Sequence, residues 1–261
     1  MSMSWKDLLR PAALTPRQQK ERRSFLLSIA AGAGVVALAL AGYVPVLGTW
    51  AKRLRPPGAL DEPEFLASCI KCGQCVQVCP VKAIKLADVG DGFGNGVPFI
   101  DARKQACDFS CDAVQCVLAC PTGALTHKLD KKEQARMGLA RLARPDACLA
   151  RLGQGFKGKA RGAGFAGRHR YTHVDRWKPI RVSDHPYDLE LCDLCVRECP
   201  IKDAIVLQPM SSDPADKRRT PVVQQACVGC GMCEMICPVE PAAIVIDERV
   251  TWETAAKGAR A

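Results

Sequence analysis

The chain has 261 residues, of which 48% are hydrophobic and 25% are charged. These fractions are ordinary for a globular protein and exclude an intrinsically disordered chain. The unusual features are sixteen cysteines and a formal net charge of +10, and the spacing of the cysteines decides whether they indicate disulfides, zinc sites or iron–sulfur sites.

The N-terminal segment is predicted to be an export signal. The hexapeptide Arg22-Arg23-Ser24-Phe25-Leu26-Leu27 opens an uncharged apolar run that extends from residue 24 to residue 41, and this pattern resembles a twin-arginine (Tat) signal. Alanines at 39 and 41 offer a cleavage site, but the run is also just long enough to span a bilayer as an anchor. Both fates remain open, and in either case the cysteine-rich part is expected in the periplasm, anchored to the inner membrane if the segment is retained.

Four segments end in Cys-Pro followed by a short apolar stretch. These stretches, and residues 98–100 and 221–224, predict short strands, whereas each Cys-x3-Cys-Pro suits a short helix. A spacing of 28 residues separates the last cysteine of each motif from the first of the next, as from Cys79 to Cys107 and from Cys199 to Cys227. The same spacing from Cys120 leads to Cys148, which on its own would resemble an isolated buried cysteine.

Motifs one and four have the spacing Cys-x2-Cys-x2-Cys-x3-Cys-Pro of bacterial ferredoxins. Three cysteines of such a run hold one [4Fe–4S] cluster, and the cysteine before proline ligates a second cluster. Structural zinc sites normally use paired Cys-x2-Cys knuckles instead. Gly73, Gly229 and Gly231 are expected to let the backbone approach the inorganic sulfides. Motif one consists of Cys69, Cys72, Cys75 and Cys79, and motif four of Cys227, Cys230, Cys233 and Cys237.

Motifs two and three are less regular. Motif two has longer spacings, and motif three is interrupted by a 43-residue insertion, residues 149–191, which is workable because loop-closure entropy grows slowly with length. We predict a [4Fe–4S] cluster at each, with a three-iron cluster or an unfilled site as alternatives. Ligands are expected to be exchanged between motifs, either one with four and two with three, or sequentially. Motif two consists of Cys107, Cys111, Cys116 and Cys120, and motif three of Cys148, Cys192, Cys195 and Cys199.

The predicted fold is α+β, with tandem bacterial-ferredoxin-like modules whose short strands and helices surround four [4Fe–4S] clusters. Four such clusters with their thiolates carry roughly −8, and residues 1–41 supply +4 of the chain's charge. The loaded protein would therefore be near neutral, and no nucleic-acid partner is expected. The predicted segments are a signal or anchor (1–52), a first pair of motifs (53–130), a connector with Cys148 (131–148), the basic insertion (149–191), a second pair of motifs (192–250) and a tail (251–261).

Three stretches resemble the NapG/MauM ferredoxin-type proteins. They are RLRPPGALDEPEFLASCIKCGQCVQVCP from Arg53, ARMGLARL from Ala135 and LCDLCVRECP from Leu191. The resemblance implies a Tat-exported periplasmic protein with four [4Fe–4S] clusters, and a third motif whose first cysteine lies well upstream. It also implies a relay from a membrane quinol-oxidising ferredoxin-type protein towards a periplasmic nitrate reductase, or a role in methylamine utilisation. Motif two and the long insertion depart from the family pattern.

The insertion is rich in Gly, Arg and Lys and is interpreted as a flexible surface loop. The alternative is a basic docking surface for an acidic partner such as a cytochrome. The four histidines are dispersed in the sequence and are predicted to be solvated surface residues. They are His127, His169, His173 and His185.

No dinucleotide-binding glycine motif, P-loop or nucleophile elbow is present, so an electron carrier is predicted rather than an enzyme. Its expected partners are the membrane quinol-oxidising protein and a periplasmic reductase or cytochrome, with membrane association through that partner or through an uncleaved N-terminal segment. Two other functions remain open. One is an electron-transfer subunit of a molybdoenzyme complex, and the other is a maturation factor that transfers clusters.

Overall fold

The structure, a computed structural model, describes residues 15–48, 53–88, 94–111, 113–175 and 177–258. The outer parts of the predicted signal segment (1–14 and 49–52) and the end of the predicted tail (259–261) lie outside the described residues. The chain divides into two compact units, Met1–Trp50 and Ala51–Ala261, and all sixteen cysteines belong to the second.

Within residues 15–48, the first unit forms one long helix, α1 (Pro16–Gly48). Between Pro16 and Gly42 it contains a window of mean hydropathy 2.2, none of which is buried inside the protein. Its length and composition suit a membrane-crossing helix, and a signal sequence has the same properties. The helix therefore fits both fates that the sequence leaves open.

The second unit begins with short helices and one hairpin. Helix α2 starts with Asp61, Glu62 and Glu64, whose carboxylates suit the positive end of the helix dipole, and it buries Phe65 completely. Strands β1 and β2 are antiparallel, with Ile84 opposite Ile100. The elements of this part are α2 (Glu62–Ser68), α3 (Gln74–Gln77), β1 (Ile84–Leu86), β2 (Pro98–Ile100) and α4 (Gln115–Leu118).

The insertion is folded, which differs from the expected flexible loop. It contains two antiparallel strand pairs, β4 with β7 and β5 with β6. Their backbone hydrogen bonds, and the burial of Tyr171 and Tyr187 between them, compensate for the ordering of a Gly-rich segment. The strands are β3 (Gly138–Leu142) before the insertion, then β4 (Phe156–Lys159), β5 (Arg168–His169), β6 (Ile180–Arg181) and β7 (Pro186–Leu189).

The remaining elements repeat the helix–hairpin pattern of the first part. Strands β8 and β9 form an antiparallel hairpin, while β10 returns to pair with β3, placing Gly138 opposite Glu248. The connector before the insertion thus joins the last strand of the chain. The elements are α5 (Leu194–Arg197), β8 (Ile205–Pro209), β9 (Arg219–Val223), α6 (Met232–Ile236), β10 (Ile244–Glu248) and α7 (Trp252–Gly258).

The strands and helices expected around the Cys-Pro motifs are largely present. A short helix precedes each Cys-Pro, and strands follow the prolines of motifs one, three and four. After motif two, only Leu125 forms a β-bridge, with Ala59, because Gly123 turns the chain with a φ of 70° before a strand can extend. This mixture of short helices and small antiparallel sheets is that of ferredoxin-like modules.

Candidate metal centres

The sixteen cysteines are all free, and the structure groups them into four sets of four. Each set combines three cysteines of one motif with the Cys-Pro cysteine of another. Site I consists of Cys69, Cys72, Cys75 and Cys120; site II of Cys79, Cys107, Cys111 and Cys116; site III of Cys148, Cys192, Cys195 and Cys237; and site IV of Cys199, Cys227, Cys230 and Cys233.

Sites I and III each enclose a small cavity that all four of their cysteines line. Burial, followed by the neighbouring thiols of Cys69 and Cys72, raises the pKa of Cys75 to about 11. Burial, with smaller contributions from Cys237 and Cys148, raises the pKa of Cys192 to about 12. Converging thiols with raised pKa values are protonated at neutral pH, so a metal that binds them must displace protons.

Sites II and IV also contain buried cysteines, two in site II and three in site IV. Burial and then the thiols of Cys111 and Cys79 raise the pKa of Cys116. In site IV, burial and then the thiols of Cys230 and Cys227 raise the pKa of Cys233. The chemistry of each donor set, four sulfur atoms and no other ligand type, fits an iron–sulfur cluster.

None of the four sets is arranged as a site for one metal ion. In the described part of the chain, no three His, Cys, Asp or Glu side chains converge closely enough to hold a single metal. The sulfur ligands of a tetrahedral zinc ion would be roughly 3.8 Å apart, given Zn–S bonds of about 2.3 Å. The ferredoxin spacing of motifs one and four favours an iron–sulfur cluster over zinc.

The grouping selects the sequential exchange of ligands. Cys79 of motif one lies in site II, and Cys120 of motif two lies in site I. These two motifs therefore form a reciprocal pair. Likewise, Cys199 of motif three lies in site IV, and Cys237 of motif four lies in site III. The alternative pairing of motif one with motif four is wrong, because helices α3 and α4 pack together, as do α5 and α6.

The sulfur atoms of the exchanged cysteines accept backbone hydrogen bonds. The N–H groups of Ala83, Leu125 and Ala243 donate to Cys79, Cys120 and Cys237, respectively, over 3.3–3.4 Å. Burial opposes ionisation of Cys120, but the N–H groups of Leu125 and Thr122 outweigh it and lower its pKa. Such bonds stabilise a thiolate and influence the reduction potential of a bound cluster.

Sites II and IV meet at one backbone contact. The N–H of Cys107 donates a hydrogen bond to the carbonyl of Cys230 over 3.2 Å. Burial, then Cys116 of its own site and Cys230 of site IV, raise the pKa of Cys107. Because sites I and II share one pair of motifs and sites III and IV the other, the order of the sites is I–II–IV–III.

Gly229 has a packing role that the sequence did not indicate. Its φ is 71°, and a Cβ atom added there would lie 2.2 Å from the carbonyl group of Gly138 in β3. The backbone of motif four therefore crosses β3 at two glycines. This contact is additional to the expected approach of glycine backbone to sulfide, which stays a prediction.

The insertion reaches both pairs of motifs. The guanidinium of Arg161 donates to the carbonyls of Arg103 and Met235 over 2.9 and 3.2 Å. Gln105, two residues before Cys107, makes two hydrogen bonds with the backbone of Arg168. The insertion therefore helps to hold the two halves of the unit together.

His169 is buried between carboxylates that flank two of the sites. Its Nε2 lies 3.0 Å from Glu198, beside Cys199, and its Nδ1 lies 3.4 Å from Asp108, beside Cys107. Burial disfavours the charged form of His169, but the two carboxylates outweigh burial and raise its pKa. The imidazole in turn lowers the pKa values of Asp108 and Glu198. No local sequence pattern indicates this group of three residues, because its members are separated by 29 or more residues.

The prediction that the histidines are dispersed is wrong for three of them, and the prediction that they are solvated is wrong for His169. His169 is 7% exposed, while His173 and His185 lie together, with their Nε2 atoms 3.1 Å apart. Only His127 is an isolated exposed histidine, where it contacts the carbonyl of Cys120. The pairing of turns in the insertion brings the other three together, which no local pattern could indicate.

Comparison with known proteins agrees with this geometry. A family model for the 4Fe-4S dicluster domain matches residues 68–149 and 190–240, which leaves most of the insertion unmatched. The chain is 35% identical to the ferredoxin-type protein NapG of Escherichia coli over 88% of its length and 87% of that protein. It is 36% identical to the methylamine utilization ferredoxin-type protein MauM of Paracoccus denitrificans, over 89% of the chain and 90% of that protein. No solved structure matches significantly.

Proposed function

We propose that this chain, which belongs to the NapG/MauM family of ferredoxin-type proteins, relays electrons through four [4Fe–4S] sites in the order I–II–IV–III. The membership makes it an iron–sulfur electron-transfer protein. The number of clusters and their order are our proposal, and the contact between Cys107 and Cys230 is the observation that carries it.

All sixteen cysteines are proposed as ligands, including Cys148 at the far side of the insertion. When bound, each cluster would supply a one-electron redox centre. The chain would keep neighbouring sites close through the reciprocal exchange of cysteines within each pair of motifs. The buried cysteines of sites II, III and IV would help to exclude water, and N–H groups directed at sulfur would adjust the potentials.

The two halves are proposed as ferredoxin-like modules. The first covers residues 53–130, and the second covers the motifs in 192–250 together with the connector 131–148, because β3 pairs with β10. The insertion 149–191 then projects from within the second module. The ends of the relay are sites I and III, of which site I has a solvent-exposed cysteine, Cys72.

The proposed partners are a membrane quinol-oxidising ferredoxin-type protein as donor and a periplasmic reductase or cytochrome as acceptor. The names of the relatives, NapG and MauM, support a nitrate-reductase or methylamine-utilisation type of system. The twin-arginine pattern and helix α1 support export to the periplasm, with the helix as an anchor if it is not cleaved.

The experiment that tests this function is a redox titration followed by transfer. Anaerobically purified protein should be reduced and reoxidised repeatedly without loss of iron, and the reduced protein should pass electrons to a periplasmic extract containing the acceptor. A maturation factor would instead lose its clusters to an added apo-ferredoxin within minutes and show no reversible reduction. That result would overturn the relay.

A further inference from the structure

A cavity of about 470 Å³ opens between the insertion and the neighbouring motif residues, such as Asp108 and Glu198, and is separate from the small cavities of sites I and III. Its walls include Tyr171, His173, His185 and Tyr187, and it reaches Cys199 of site IV. The volume is within the range of small-ligand sites. The electron relay uses none of these four side chains, so the cavity needs an explanation of its own.

Two ring nitrogens face each other at this cavity. The Nε2 atoms of His173 and His185 are 3.1 Å apart. With metal–nitrogen bonds of about 2.0–2.1 Å, adjacent ligands are separated by roughly 3.3 Å around a tetrahedral ion and roughly 2.9 Å around an octahedral one. We infer that His173 and His185 form a binding site for a divalent transition-metal ion such as Zn²⁺.

The ring of His185 is held in place by aromatic packing. It stacks on Tyr171 with ring centres 4.0 Å apart and an angle of 7°, and it meets Tyr187 edge-on at 4.8 Å. The hydroxyl of Tyr187 donates to that of Tyr171 over 2.9 Å, which fixes both tyrosines. A ring that is already oriented loses little conformational entropy when it binds an ion.

The environment also favours a neutral His185. Burial lowers its pKa, Glu198 partly opposes that shift, and His173 lowers the pKa further. Imidazole binds a metal through the lone pair of its unprotonated nitrogen, and neutral imidazole suits Zn, Cu and Ni. The distance between the two Nε2 atoms and the protonation state of His185 thus both suit metal binding.

The site is open. No third His, Cys, Asp or Glu of the described residues converges with the pair, so water from the cavity would complete the coordination. His173 is exposed and His185 is partly buried, which gives an ion a direct route from solvent. We expect exchangeable rather than permanent binding, in contrast to a closed structural zinc site.

A direct hydrogen bond between two neutral imidazoles is the competing explanation of the 3.1 Å distance. Titration of tag-free, cluster-loaded protein with Zn²⁺ by calorimetry, followed by X-ray absorption at the zinc edge, separates the two. The inference predicts one zinc per chain with imidazole ligands at about 2.0–2.1 Å and no sulfur at about 2.3 Å. Sulfur ligation, or no binding at micromolar zinc, would overturn it.

Three variants identify the ligands. His173→Gln removes an exposed nitrogen ligand, and His185→Phe keeps the stack on Tyr171 while removing the other. Each should weaken zinc binding about 100-fold, since even partners outside the ligand set contribute 10- to 100-fold, whereas His127→Gln should bind as the parent does. Unchanged affinity in His173→Gln would refute the site. If His185→Phe fails to retain its iron, the zinc affinity of His173→Gln alone tests the site.

Discussion

The amide of Cys107 donates a hydrogen bond to the carbonyl of Cys230 over 3.2 Å, joining a cysteine of site II to a cysteine of site IV. Their motifs are more than a hundred residues apart in sequence. A single backbone hydrogen bond brings sites II and IV together, so the two halves of the chain form one continuous series of sites. The following predictions test this arrangement and the elements that support it.

The exchange of Cys79 and Cys120 predicts which double variants lose the same cluster. Cys120→Ser should lower iron from about sixteen to about twelve per chain, because four irons leave with site I. Adding Cys72→Ser, in the same site, should cost no further iron. Adding Cys116→Ser, in site II, should leave about eight.

Iron analysis of the anaerobically purified variants measures this effect. The two double variants serve as controls for each other, because each removes two cysteines. If the combination of Cys120→Ser and Cys116→Ser lost only four irons, the two cysteines would share a site and the exchange would be wrong.

Gly229→Ala should destabilise the protein. The substitution places a methyl group against the carbonyl of Gly138 and forces alanine to adopt a φ of 71°. Overpacking and left-handed backbone together cost about 2 kcal/mol or more, so the melting temperature under anaerobic conditions should fall by several degrees. Gly164→Ala is the matched control, because no atom lies within 4 Å of its added Cβ, and it should melt as the parent does.

His169 should give the protein a pH-dependent stability. Its pKa is raised by Asp108 and Glu198 against the effect of burial. Its contribution is therefore fully present below the unfolded value of about 6.5 and is lost as the pH rises through the folded pKa. The carboxylates, whose pKa values are lowered, contribute above their unfolded values of about 4 and lose that contribution as the pH falls.

Melting temperatures between pH 5 and pH 9 test this for His169→Gln. The melting temperature of the parent should exceed that of the variant most clearly near pH 5–6, and this difference should shrink towards pH 9. His127→Gln, at the isolated exposed histidine, should follow the parent at every pH. A difference between parent and His169→Gln that grew at alkaline pH would contradict the ion-pair account.

The paired arginines in the N-terminal part of α1 should be required for export. Replacing Arg22 and Arg23 together by Lys keeps the charge but removes the twin-arginine pattern, so the protein should accumulate in the cytoplasm. Cell fractionation with an immunoblot measures this. Arg17→Lys, outside the pair, should be exported normally, and export of the double Lys variant would argue against the Tat route.

The Cys-x3-Cys-Pro ends predicted the short helices, and the apolar stretches predicted β1, β2, β8, β9 and β10 but not β3 to β7. The grouping into sites was not accessible, because it depends on how α3 packs on α4 and α5 on α6. The role of Gly229 was also hidden, since its neighbour Gly138 is 91 residues away in the sequence. Only the three-dimensional crossing of β3 shows why a side chain cannot be accommodated there.

The insertion was the least predictable part. Its Gly- and Arg-rich composition is typical of flexible loops, yet Tyr171 and Tyr187 supply a small buried core and Arg161 binds carbonyls of both halves. The convergence of His173 and His185 depends on these contacts. Composition averages over such specific interactions and therefore could not show them.

The most direct test of the central claim is the iron and acid-labile sulfide content of the anaerobically purified chain, combined with the EPR spectrum after reduction by dithionite. The account predicts about sixteen of each per chain, with S = 1/2 signals broadened by interaction between neighbouring clusters. About eight of each, with non-interacting signals, would mean that only two sites are filled, and it would contradict a continuous series of four sites joined at Cys107 and Cys230.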